Sequence, residues 1–584
     1  YTTLFRSSWE SPSGHQLAAY LYIPQNATKD TPAPGVVTIE GWYNNKEMQD
    51  LYSIELARRG YVVLALDLHS HGDSESLSIA ELYDGAVGVD GAVQLIASLP
   101  YVDTARIGVT GHSSGGTAAN MAVEIDNSRE TPLIAAVLQQ AGDWQDDTGG
   151  DHSGDYGSRS VGIIASTHDD FYFGTYDDAG NMLTNPAAFM ETDGAKKFLN
   201  FNEDGFAGIA EGGKYYTRDF DGKTAYRVIY RPNMIHPLVA FSTTCVGYAV
   251  DFFDTTLGAP KPLPASDQIW PIKAVFNSLG VIGLLIFMVS FTLVLLDTPV
   301  FSALRSGEIV QPAPVQDSGA KAWYWVLLII GAVFSGASFL FCMNTVYSKT
   351  TNFFVQTGPL TIGTWAALCG VFAIFCSAVF YGAYGKKHGW SARRAGLYLN
   401  LEQLWKTIAL AVIVIVVSFG LVFAAHYFFQ VDYRMYVVAF KTFGADKVLI
   451  ALRYLPFFLL FYVMNSISAN CFNYNTIGGK NGNILIFAFF NALGAIFVVA
   501  SQYIYFYATG YQLYGLTEGQ RIGPIWLFPC MVLLFVTPIM SRIIYKRTRN
   551  PYIAGLINAM FIVMISCSNT TTILGGGELI ATTF

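Results

Sequence analysis

Between Arg106 and Gly116 the chain reads RIGVTGHSSGG, and one residue in it is placed to act as a nucleophile. A short β-branched run ending in Gly-x-Ser-x-Gly, with small residues following, suits a strand that turns sharply into a helix and exposes one hydroxyl at the bend. That hydroxyl belongs to Ser113. Gly111 and Gly115 flank it because such an elbow crowds the backbone on both sides of its serine, where a Cβ would clash. A serine hydroxyl is a poor nucleophile until an imidazole takes its proton, and the imidazole needs a carboxylate to fix its tautomer and stabilise its charge. The elbow therefore asks for a histidine and an acid, and for elements that carry them to it.

Such elements are legible in residues 1–260. A hairpin opens the chain around GHQLAAYLYIP (14–24), and APGVVTIEGW is a buried strand running into a glycine turn at Gly41. A helix spans 47–59 and stops at Gly60; YVVLALDLHSHGDSE is a second buried strand with a polar turn. A helix over 84–99 and the strand RIGVTG lead to the elbow, and AANMAVEI continues as a helix. LIAAVLQQAG and SVGIIASTHDD are strands, PAAFMETDGAKKFLNF is a helix, and TAYRVIYRPNMIHP is a last strand and loop. Strands that alternate with helices and carry continuous apolar runs predict a mainly parallel sheet covered on both faces, an α/β fold.

Taken in order, these pieces resemble the α/β-hydrolase superfamily, from about Gly14 to Gly258. EGW lies where the family has its oxyanion loop, LARRGYVVLALDLHSHGDSE where it has a strand and a Gly-His-Gly-x-Ser-like turn, then GHSSGG, HDDF and IHP follow. Ser, Asp, His is also the family's chain order. The resemblance implies Ser113 as nucleophile, His236 as base and Asp169 as the acid that orients it, with Asp170 the alternative acid. It implies an oxyanion hole from the Ser114 amide and one from Gly41 or Trp42. Glu40 departs from the family, standing where many relatives have a histidine, which leaves open how that loop is held. His69, His71 and His112 read as turn and elbow packing. No cofactor and no metal site is expected.

The segment DWQDDTGGDHSGDYGSR is short for a helical cap, so the site is expected to be fairly open. Its aspartates, with Asp177, Asp178, Asp219 and Asp221, read as solvated surface rather than a Ca²⁺ site, because no loop has EF-hand spacing. The chain begins at Tyr1 rather than a methionine, which reads as a processed or trimmed form whose signal peptide or first anchor has gone from view.

A hydrophobic fraction of 52% and a mean hydropathy of +0.36 are too apolar for an ordinary soluble protein. The net charge of -8 conceals a division: 34 acidic and 15 basic residues in 1–260, against 9 and 20 in 261–584. Neither part has a basic stripe interleaved with aromatics, so nucleic acid is excluded as a partner. Of seven cysteines only Cys245 lies in the first part, and no disulfide framework is expected.

KPLPASDQ, within 261–271, reads as a linker between a hydrolase domain (1–260) and a polytopic membrane domain (272–584). Apolar runs long enough to cross a bilayer fall at 272–296, 323–346, 360–384, 406–429, 447–468, 484–508, 524–545 and 552–574, an all-α bundle of about eight helices. Alternate loops carry Arg305, Lys321, Lys386, Lys387, Arg393, Arg394, Lys480, Lys546, Arg547 and Arg549; the other set holds only Lys349, Arg434, Lys441, Lys447 and Arg521. The first set is expected to be cytoplasmic, which puts the hydrolase outside the cytoplasmic membrane. Gly331 with Gly336, Gly363 with Gly370, and Ala492 with Gly494 read as close helix contacts; of the polar residues at membrane depth, Asn344, Asn465, Asn491, Asn558 and Asn569 read as interhelical glue, Gln502 as facing the bundle interior or a cavity, and His426 as snorkelling near a span end.

The expected activity is ester hydrolysis through an acyl-enzyme. Eight spans exceed what anchoring needs, which points to a lipid or lipid-linked ester. The alternatives are an acyltransferase using the same acyl-enzyme, and a transport or sensory protein whose hydrolase-like domain only binds a ligand.

Overall fold

Strands β1 (Thr2–Glu10) and β2 (Gln16–Pro24) form the opening hairpin, so GHQLAAYLYIP is one strand of it and the turn lies at Ser11–His15. In the computed structural model, which describes residues 2–146, 150–177 and 180–578, they edge a nine-stranded sheet. Its other strands are β3 (Ala33–Ile39), β4 (Val62–Asp67), β5 (Val102–His112), β6 (Ile134–Gln140), β7 (Ser160–Ile164), β8 (Tyr216–Phe220) and β9 (Lys223–Tyr230). The order across the sheet is β1-β2-β4-β3-β5-β6-β7-β9-β8, and β4, β3, β5, β6, β7 and β9 run parallel. β3, β4 and β7 are buried along their whole length, as continuous apolar runs demand of strands covered on both faces. The cover comes from α1 (Asp50–Arg58), α2 (Val89–Ser98), α3 (Ser114–Asn127), α4 (Asp193–Leu199) and α5 (Thr243–Leu257).

Among the described residues, eight helices long and apolar enough to cross a membrane follow. They are α6 (Trp270–Leu296), α7 (Ser318–Thr345), α8 (Thr357–Phe380), α9 (Leu401–Phe429), α10 (Ala445–Ile467), α11 (Gly479–Thr509), α12 (Glu518–Thr548) and α13 (Pro551–Ser568). Val333, Phe375 and Val416 are exposed on their outer faces, where a bilayer would cover them. The last helix ends earlier than the apolar run predicts. Asn569 and three threonines turn the chain away at the edge of the sheet domain, where their polar groups find partners that a helix end in lipid would lack.

Close contacts hold the bundle where small residues predict them. A Cβ on Gly494 would lie 2.6 Å from the Ala332 carbonyl oxygen, and one on Gly370 2.8 Å from that of Leu460. Gly331 differs: it borders a cavity, and a Cβ there would meet nothing within 4 Å. Asn465 Nδ2 donates to Asn491 Oδ1 at 2.6 Å, and Asn491 donates onward to the Leu534 carbonyl at 2.6 Å, a bridge across three helices. No disulfide forms among the described residues.

Candidate active site

Strand β5 delivers Ser113 and α3 leaves from it. Ser113 has φ +56° and ψ -124°, a left-handed strained backbone for a serine, and its carbonyl accepts from the Gly116 amide at 2.7 Å. The crowding expected at the elbow is present. A Cβ on Gly111 would lie 2.2 Å from the Gly115 carbonyl carbon, and one on Gly115 2.3 Å from the Glu40 carbonyl oxygen.

The parallel strands β7 and β9 bring the other two groups to the same sheet edge. Asp169 follows β7 and is fully buried; its Oδ1 accepts from the Phe171 and Tyr172 amides at 3.0 and 2.9 Å, and its Oδ2 from Ser166 Oγ at 3.0 Å. His236 starts a single helical turn after β9, and its Nδ1 lies 2.9 and 3.0 Å from the two Asp169 oxygens. The carboxylate is held by three donors besides the imidazole, and the bond at Nδ1 leaves Nε2 as the ring nitrogen turned to the site. The imidazole packs between Phe171, Tyr172 and His112, with centroids 4.9, 5.8 and 4.8 Å away.

Asp170 stands differently. Its Oδ2 accepts from the His236 backbone amide at 3.2 Å, and its carbonyl oxygen accepts from Gln512 Nε2 at 2.7 Å. Burial, reinforced by the Asp169 charge, raises its carboxyl well above the usual range. It holds the backbone of the histidine rather than the ring. His112 is likewise pushed down, to about 3, by burial and then by His236, so it stays neutral beside the site.

The Gly41 loop packs against the elbow. A Cβ on Gly41 would lie 2.9 Å from the His112 carbonyl oxygen and 3.3 Å from Ser113 Cβ, which only glycine accommodates. The Ser114 amide is in the first turn of α3, where helix N–H groups have no intrahelical acceptor. The Trp42 amide is engaged: it donates to Ser114 Oγ at 2.6 Å. Glu40, the departure from the expected histidine, holds the loop by accepting the Leu68 amide at 2.8 Å. Trp42 stacks on His71 with centroids 5.0 Å apart, and burial lowers the His71 imidazole to about 4.

The expected open site is not what forms. The helical half covers it, and the short polar segment does not, because the carboxyl edge of the sheet faces the bundle. Tyr436 donates to the Pro237 carbonyl at 2.8 Å, Tyr43 and Tyr347 hydroxyls meet at 3.1 Å, and Tyr43 abuts Trp526 edge-on at 5.0 Å. Charged groups seal the rim: Lys441 reaches Glu47 at 3.2 Å, Arg434 donates to Asp432 at 2.8 Å and Asn45 at 2.9 Å, and Lys273 pairs with Asp50. The segment after α13 closes the other side. There the Thr572 amide donates to the Ser70 carbonyl at 2.8 Å, the Leu574 amide to that of Leu77 at 2.8 Å, and Thr571 Oγ1 meets His71 Nε2 at 3.0 Å. The one sequence signal for this cover is the threonine run that interrupts the last apolar stretch.

The acidic loops are bound up among themselves. Asp146 and Asp155 clasp His152 at 2.9 and 2.8 Å, Asp177 accepts from Asn181, and Asp219 caps a turn at Gly222. Tyr1, Asp147 and Asp178 lie outside the described residues.

Residues 2–138 match a family model described as FrsA-like, Esterase FrsA-like. The chain is 35% identical over 117 residues to the uncharacterized protein PA2218 of Pseudomonas aeruginosa, covering 19% of this chain and 31% of that protein. It therefore spans about a third of the length of that curated relative. Among solved structures it is similar to hypothetical protein PA2218 of Pseudomonas aeruginosa (28% identity, 24% of this chain and 43% of that one, TM-score 0.21). It is also similar to the Pyrococcus furiosus esterase Pf2001 (12% identity, 44% and 94%, TM-score 0.30) and to DcsB in complex with a substrate analogue (13% identity, 44% and 99%, TM-score 0.30).

Proposed function

We propose, from the premise of an N-terminal FrsA-like esterase domain of the α/β-hydrolase kind followed by eight long apolar helices, that the protein is a membrane-embedded serine hydrolase of acyl esters. Ser113 Oγ attacks the ester carbonyl while His236 Nε2 takes its proton, and Asp169 holds the imidazole and stabilises its charge. The intermediate collapses, the bond to the alkoxy oxygen breaks, and His236 returns the proton to the departing alcohol. Water, deprotonated by the same imidazole, then releases the acid and restores Ser113. The developing oxyanion is met by the Ser114 amide and the Gly41 loop, a contribution of about 3 kcal/mol per donor. The Trp42 amide joins them once Ser114 Oγ releases it. The observation that carries this reading is the strained Ser113 and His236 on the wall of one cavity, with Asp169 buried behind His236 and paired to its Nδ1.

In this reading residues 1–260 are the catalytic domain, 261–271 the linker and 272–584 the membrane domain. The hydrolase lies outside the cytoplasmic membrane. Most of the basic residues in the loops lie at the end of the bundle far from this domain, the bias that marks a cytoplasmic face.

The covered site favours a second reading, acyl transfer to a hydroxyl, because a bundle that shuts out water slows hydrolysis of the acyl-enzyme relative to attack by a bound alcohol. A fluorophosphonate probe on the detergent-solubilised protein tests the first reading: wild type is labelled, and Ser113→Ala and His236→Ala are not. No labelling of folded wild type sinks it. Adding an alcohol to the ester assay separates the two, since transfer outpacing hydrolysis selects the second.

A further inference from the structure

One cavity of about 1090 Å³ begins at Gly41, Ser113 and His236 and continues through the helices to Trp390 and Arg394, in the loop at the opposite end of the bundle. Six helices ring it, each touching the next: α7, α8, α10, α13, α12, α11 and back to α7. Its volume is at the top of the range of about 300–1,000 Å³ that small-molecule sites occupy. A short ester would leave most of it empty.

The wall says what fills it. Leu328, Ile362, Phe458, Phe487 and Leu534 face the lumen. At mid-depth Asn465 Nδ2 and Asn491 bond each other and the Leu534 carbonyl, and Trp365 Nε1 donates to the Ser335 carbonyl at 2.8 Å. A sugar or a peptide entering here would lose its water and gain few partners, a cost of several kcal/mol per unpaired polar group. A hydrocarbon chain loses nothing. Resting on the proposed hydrolase reading, we infer that this cavity is the acyl-chain site: the substrates are long-chain acyl esters, with the carbonyl at Ser113 and the chain running down between the six helices. The bilayer core of about 30 Å is two acyl layers, so one lipid chain reaches about 15 Å. Ala366 lines the cavity about 14 Å from the hydrolase end of α8, and Gly331 about 21 Å from that end of α7. Ala366 lies within that reach and Gly331 beyond it.

The test is the chain-length profile of p-nitrophenyl esters from butyrate to stearate, for wild type, Ala366→Phe and Gly331→Leu. Gly331→Leu grows into open space. Wild type prefers palmitate to butyrate in kcat/KM. Ala366→Phe lowers that ratio, by about tenfold for every two methylenes kept out, and Gly331→Leu, deeper than one chain reaches, leaves it unchanged. A uniform loss over all chain lengths, or an unchanged profile, in an Ala366→Phe protein still labelled by the fluorophosphonate overturns the chain site and leaves the hydrolase reading standing. Absence of labelling and of hydrolysis of every ester removes the hydrolase reading and this inference with it.

Discussion

Two buried polar clusters, one at the Ser113 elbow and one around Arg542 in the bundle, differ in how completely they are closed. Arg542 is 1% exposed, and its guanidinium donates to Asn470 Oδ1 at 2.8 Å, Asn483 Oδ1 at 3.0 Å and the Ala469 carbonyl at 2.5 Å, with Tyr474 4.0 Å beneath it. It has no carboxylate partner among the described residues, its backbone is helical, and the guanidinium itself is off the cavity wall, which Asn470 and Tyr474 reach. The elbow carries a left-handed serine, opens on a large cavity, and sets a histidine and a carboxylate beside it. A closed cluster joins helices. An open one with stored strain is arranged to do something to a molecule that enters.

Substitutions can break that contrast. Ser113→Ala should lower ester turnover by about 10⁴-fold or more while leaving the thermal midpoint in detergent unchanged, because the hydroxyl serves chemistry and not packing. Asp169→Asn should come close to it, through the wrong imidazole tautomer. Arg542→Met should do the reverse. It strands two asparagine oxygens and a carbonyl, so stability falls by about 3 kcal/mol, read as a lower midpoint, with turnover per folded molecule little changed. If Arg542→Met lost activity as Ser113→Ala does, the contrast would fail.

A smaller effect is expected where the halves meet. Tyr436→Phe removes the bond to the Pro237 carbonyl beside His236, and about 1 kcal/mol of lost positioning should cost roughly fivefold in kcat/KM. Retained activity there would mean the bundle covers the histidine without holding it.

The smallest effect is on acid stability. Burial lowers His69 and His71 to about 4 and His112 to about 3, against 6.5 in the unfolded chain. Between those values the unfolded state binds protons that the folded state does not, so stability is lost as pH falls from about 6.5 toward 4. Asp143, raised to about 6 by burial, works in the opposite direction. Thermal scans against pH on wild type and His71→Gln measure the net slope, which should be shallower in the variant.

Much of this was legible in the chain. Glycine spacing around Ser113, continuous apolar strands and eight long apolar runs are local signals, written within a few residues of where they act, and they predict the parallel sheet, the elbow and the helices. Asp169 and Asp170 are adjacent in sequence and equivalent in composition. Only the meeting of the β7 and β9 edges decides that one faces the imidazole and the other its backbone amide.

The cover over the site was not legible. Tyr436, Gln512 and Thr571 are ordinary residues in three separate loops, and their role exists only where the helices bring those loops against the sheet. The same holds for Arg434 and Lys441, which count as loop charges in sequence and as interface ion pairs in the fold. Gly331 reads as a helix contact and faces a lumen instead, because spacing fixes which face of a helix a residue lies on and not what that face meets. The sequence by itself determined the elements and the chemistry they can carry. The tertiary structure alone decided that the site is closed by the bundle and opens into it, since both depend on which distant surfaces touch.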